Sequence, residues 1–101
     1  MKLSATSNNG FSVVRFETVS GYSLSCGIGK MHYCDNYDKV VDKDEDHVSS
    51  STMEIAILDK DGAFDVIPGG VAGWIPVSSL TKLLIAVGNE DWDYVLDVVK
   101  D

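Results

Sequence analysis

The chain has 101 residues, enough for one domain that folds on a single core. Eight Lys and Arg stand against sixteen Asp and Glu, a formal net charge of −8, while a hydrophobic share of 45% is that of an ordinary globular chain. These values exclude wholesale disorder and argue against nonspecific attachment to nucleic acid or anionic lipid, whose negative charge the chain cannot neutralise.

A basic protein partner remains compatible with this charge. So does a nucleotide held in a local pocket, although cations are scarce and Arg15 is the only arginine. Residues 1–10 are polar and lack the apolar stretch of a secretory signal, and no apolar run reaches bilayer length. With no export signal, Cys26 and Cys34 are expected as thiols rather than a disulfide, in a cytosolic protein.

Taken in order, residues 11–19 (FSVVRFETV) are rich in β-branched and aromatic residues and predict a strand. After the Ser20-Gly21 turn, Tyr22, Leu24, Cys26 and Ile28 alternate with Ser23, Ser25 and Gly27. This period of two predicts a second strand, paired as a hairpin, with one buried face and one small polar face. The small face would let a ligand or another chain approach closely; the plainer reading is a solvated surface. Residues 38–52 combine a charge run with a serine run and predict a mobile acidic insert. An unstructured insert of this length in a small protein points to function at the insert or its rim.

Residues 53–58 (MEIAIL) predict a strand, and Asp59-Lys60-Asp61-Gly62 a hairpin turn from which residues 63–67 return as a further strand. Pro68-Gly69-Gly70 breaks the sheet, and Gly73-Trp74-Ile75-Pro76 leads into a helix. Leu80, Leu83, Leu84 and Val87 form its apolar stripe, and Gly88 is placed to end it. Asn89 is expected to cap a second helix, with Glu90 and Asp91 in the first turn and Trp92, Val95, Leu96 and Val99 as its stripe. The expected architecture is α+β: one domain over 1–101, an antiparallel sheet of about four strands as two hairpins, and two short C-terminal helices packed on it.

No assembled catalytic group is present. Asp59-Lys60-Asp61-Gly62 resembles half a calcium loop, but the twelfth position is Gly70 where a bidentate Glu is required. Asp42, Asp44 and Asp46 have the first ligand spacing, but His47 and Met53 stand where the loop needs Gly and Glu. Cys26, His32, Cys34 and His47 offer zinc-compatible atoms without paired ligand spacing, and Cys26 lies on an apolar strand face. His32, Cys34 and Asp35 are the one nucleophile–base grouping, and it is common in loops. Neither metal nor cofactor is expected, and the chain reads as not an enzyme.

Binding features are more numerous. Gly27-Ile28-Gly29 is no dinucleotide fingerprint, but its amides could meet an anion, with Lys30 and His32 alongside. Tyr33 and Tyr37 flank Asn36 in a loop, and Trp74 follows a glycine, so these aromatics are harder to bury than Tyr22. The candidate ligand residues are Ser25, Gly27, Gly29, Lys30, His32, Tyr33, Asn36, Tyr37 and Trp74. A separate acidic set, Asp42, Asp44, Glu45, Asp46, Asp93 and Asp97, would suit a basic partner, or be a plain solvated surface.

The order Gly21-Tyr22, Gly27, Gly29, Tyr33, Glu54-Ile55-Ala56-Ile57-Leu58, Asp61-Gly62, Gly73-Trp74-Ile75 and a closing amphipathic helix is similar to a loose group of small proteins of tailed phages, over roughly residues 14 to 88. The acidic insert and the last helix depart from that group. The resemblance implies a stoichiometric counter-defence protein without catalytic residues. Two mechanisms fit: sequestration of a small nucleotide immune signal by a homo-oligomer, as in sponge proteins, or inhibition of a host defence protein by a surface that mimics nucleic acid. A structural virion or assembly protein with a self-associating strand edge is the third reading. Sequestration is the reading taken forward.

Overall fold

A computed structural model describes residues 2–8, 11–29, 34 and 50–100. Five strands, β1 (Lys2–Asn8), β2 (Phe11–Glu17), β3 (Ser23–Gly29), β4 (Thr52–Leu58) and β5 (Ala72–Pro76), form one antiparallel sheet in the order β1-β2-β3-β4-β5. A 3-10 turn (Val77–Ser79) leads into α1 (Leu80–Gly88), and α2 (Trp92–Val99) follows. The α+β class and the two C-terminal helices agree with the sequence reading. The strand count does not, and three segments differ: β1, residues 63–67 and residues 72–76.

The first is β1. Its residues are mostly polar and show no buried face, so the sequence gives no strand signal. The reason is its position: an edge strand is hydrogen-bonded on one side only and can leave both faces in water. Residues 2–6 are all exposed. The second is 63–67, expected as a returning strand but irregular in the structure. Asp59 Oδ1 accepts hydrogen bonds from the amides of Asp61 (2.8 Å) and Ala63 (3.0 Å), and Gly62 takes φ +83, so the turn forms as expected. The chain then drops Ile67 into the core at 3% exposure instead of pairing. Residues 72–76, expected as a lead-in to the helix, take the place beside β4.

Alternation along β3 and β4 sorts the side chains onto two faces. Leu24, Met53, Ile55 and Ile57 point to the helices and are buried with Ile67, Ile75, Leu83, Ala86, Val87 and Val95. Each such aliphatic side chain contributes roughly 1.5–3 kcal/mol. Tyr22 closes one end of this core against Trp92, ring centroids 4.7 Å apart and edge to face. The β2–β3 turn is tied to α1 by a polar link: Ser20 Oγ donates to the Val87 carbonyl at 3.1 Å and accepts from the Tyr22 amide at 3.3 Å.

The helix boundaries also differ from the sequence reading. Gly88 is the last residue of α1 rather than the stop signal, and the left-handed position after the Asn89 cap is filled by Glu90 at φ 56. The cap of α2 is Asp91, whose Oδ1 accepts from the Tyr94 amide at 3.3 Å, and not Asn89. A side chain that caps this way must sit immediately before the first turn, which leaves Asn89 and Glu90 to make the turn between the helices. No described helix is long and apolar enough to cross a membrane.

Candidate ligand-binding face

The register of the sheet builds the face turned away from the helices. Because Leu24 points to the core, Ser23, Ser25 and Gly27 on β3 point the other way. Pairing extends each of them into a row. Lys2, Glu17, Ser23 and Leu58 form one, Ser4, Arg15, Ser25 and Ala56 the next, and Thr6, Val13, Gly27 and Glu54 the third. The middle of the sheet is therefore floored by small residues. On its β1–β2 side stand two cations, Lys2 and Arg15, lining with Ser4 and Glu17 a hollow of about 150 Å³. On its β4 side stands the Glu54 carboxylate.

The third row ends at an irregularity. Met53 pairs with Ile75 but Ile55 pairs with Ala72, so β5 holds one extra residue at Gly73–Trp74, across from Glu54. Trp74 adopts φ 53, the left-handed region that costs a non-glycine residue roughly 1–2 kcal/mol. Its side chain is 58% exposed. A large aromatic held in strained backbone with most of its surface in water is the kind of outlier that collects at binding sites.

The floor is tighter than the sequence suggests. Ser23 has no exposed surface, Gly27 and Gly29 are buried, and Ser25 is half-buried. The expected solvated small face is instead largely buried. The Ser23 hydroxyl is buried with no hydrogen-bond partner.

Of the ligand residues named from sequence, the structure sets Ser25, Gly27 and Trp74 in adjacent rows. Gly29, at the far end of β3, takes φ +96, and its carbonyl accepts from the Cys34 thiol at 3.8 Å. Lys30, His32, Tyr33, Asn36 and Tyr37 lie outside the described residues, as do Asp42, Asp44, Glu45 and Asp46. Asp93 and Asp97 are exposed on α2, with Asp97 paired to Lys100 at 3.6 Å. Sequence reasoning missed Arg15 and Glu54, which join the face only through register, while Ser23 already belonged to the expected small face. The one usable signal was Arg15, a lone arginine inside a predicted strand.

The two cysteines are not in a disulfide. Burial pushes the Cys26 thiol up from 9.0 to about 11, so it is protonated at neutral pH and a poor nucleophile. Among the described residues, no group of three or more His, Cys, Asp or Glu is placed to hold a metal ion. The Asp59 carboxylate, the first position of the calcium-like stretch, is engaged by its own turn.

Comparison with known protein families, with curated proteins and with solved structures returns no match.

Proposed function

We propose that this chain is a non-catalytic binding protein that sequesters a small nucleotide on the face of the sheet turned away from the helices. Its role would be the stoichiometric counter-defence implied by the resemblance to small tailed-phage proteins. One observation carries the reading: the exposed, backbone-strained Trp74 stands across a small-residue floor from Arg15 and Lys2. An indole offers a stacking surface for a base, and Glu54 beside it offers acceptors for base amino groups. Three inter-strand spacings, about 14 Å, separate the strand of Trp74 from that of Arg15. A dinucleotide bridges such a span, with its base on Trp74 and a phosphate at Arg15.

Isothermal titration calorimetry with a panel of linear and cyclic dinucleotides tests this. Base stacking is worth about 1–3 kcal/mol, so Trp74→Ala should weaken binding roughly 5- to 150-fold. Arg15→Ala should weaken it comparably and flatten its salt dependence. Absence of binding by the wild-type chain would refute the reading, as would binding that is indifferent to both substitutions. Should a basic protein be retained instead, in a complex that salt dissolves, inhibition by an acidic surface replaces sequestration.

A further inference from the structure

We infer that the chain forms a two-fold dimer in which β1 pairs antiparallel with β1 of a second copy, centred on Ala5, making one continuous ten-stranded sheet. The inference rests on the sheet edge and does not require the ligand reading above.

The two edges of the sheet are built differently. β5 carries a bulge, a left-handed Trp74 and Pro76, all of which obstruct a further strand. β1 has none of these. It runs seven residues in unbroken register with β2, contains neither Pro nor Gly, and bears a single charge, Lys2, at one end. Its residues 2–6 are exposed, and none of the described residues covers that stretch. Unpaired amides and carbonyls along a flat edge are a template for another strand.

Charge favours this edge over the rest of the surface as the place where two copies meet. The chain as a whole carries −8, but β1 and β2 hold two cations, Lys2 and Arg15, against one acid, Glu17. The two strands are thus net +1 and the remainder is −9. Two copies of an acidic molecule repel least when they meet there.

The strand is also complementary to itself. Centring on Ala5 lets all seven residues pair, setting Lys2 against Asn8 of the second copy and Ser4 against Thr6 of the second copy. The two lysines fall at opposite ends, so no like charges oppose each other. A two-fold axis through the sheet keeps the faces in phase. Leu3 and Ala5 of both copies then continue the face that bears the helices. Leu3 shares a row with Phe16, Leu24 and Ile57; Leu24 and Ile57 are fully buried, whereas Leu3 is 64% exposed. That row loses its cover only toward β1, where the second copy would extend it.

Sedimentation equilibrium of the full chain should give a dimer. Ala5→Lys places two ammonium groups opposite each other at the axis and should give a monomer with an unchanged circular dichroism spectrum. Val19→Lys, at a turn residue 89% exposed, should remain dimeric. In an independent readout, Ala5→Cys should cross-link to a dimer under mild oxidation while the wild-type chain does not. Directly opposed Cβ atoms lie about 4.5–5.5 Å apart, within small adjustment of disulfide geometry. The inference is overturned if the wild-type chain sediments as a monomer, if folded Ala5→Lys stays dimeric, or if Ala5→Cys fails to cross-link.

Discussion

Replacing Trp74 by glycine and, separately, by alanine isolates the strain in its backbone. Both substitutions remove the indole, so they lose the same packing and differ only in one methyl group. At an ordinary strand position glycine is the poorer choice by about 0.5–1 kcal/mol, because it gives up more chain entropy on folding. At φ 53 a Cβ costs roughly 1–2 kcal/mol that glycine avoids. The difference inverts the usual order, and Trp74→Gly should be more stable than Trp74→Ala by about 0.5–1 kcal/mol. Urea denaturation followed by fluorescence measures it. Trp92, half-buried against Tyr22, remains as the probe in both variants. The corresponding gap in Tm is several degrees for a domain of this size. Equal stabilities, or alanine ahead of glycine, would mean that the backbone at Trp74 is not held in the left-handed region. The argument that this residue is kept in place against its own preference would then fail.

Three further outcomes follow from the same structure. Ser23→Ala removes a buried hydroxyl without a partner and should raise stability by about 1 kcal/mol; a loss of that size in urea melts would show that the hydroxyl is satisfied in solution. Glu90→Gly relieves a left-handed residue between the two helices and should raise Tm by a few degrees, whereas Gly88→Ala, inside α1 with only ordinary contact to Thr18, should not lower it. The Cys26 thiol, raised from 9.0 to about 11 in the folded state, binds its proton more tightly there than in the unfolded chain. Between those two values the unfolded chain has released the proton and the folded chain has kept it. Stability present below pH 9 should therefore decline as pH rises toward 11, and Cys26→Ala should flatten that decline in melts recorded across this window.

The parts of the fold legible in the sequence are those whose environment imposes a pattern. β3 and β4 alternate because one face of each meets the helices, and α1 and α2 show apolar stripes because each packs on the sheet. β1 has no such constraint at the edge, so its polar sequence carries no mark of a strand. Residues 63–67 follow a turn that suits a hairpin equally well. Only the burial of Ile67 and the arrival of β5 beside β4 decide against one. The helix ends were misread because a glycine was taken as the left-handed stop, while Glu90 accepts that conformation under tertiary constraint. On the candidate face, Gly27 and Trp74 stand out in sequence by residue type. Glu54 and Arg15 become neighbours of the floor only when the pairing register is known. For Glu54 that register was beyond reach because the connection between Gly29 and Thr52 is too long to fix it as a tight hairpin turn would.

The central claim is that the chain holds a small nucleotide against Trp74. Native mass spectrometry of the protein purified from a host with active nucleotide immune signalling tests it most directly. The account predicts a retained nucleotide mass on the wild-type protein and its loss from folded Trp74→Ala. A wild-type protein without such a mass, or a nucleotide retained equally by Trp74→Ala, would contradict it.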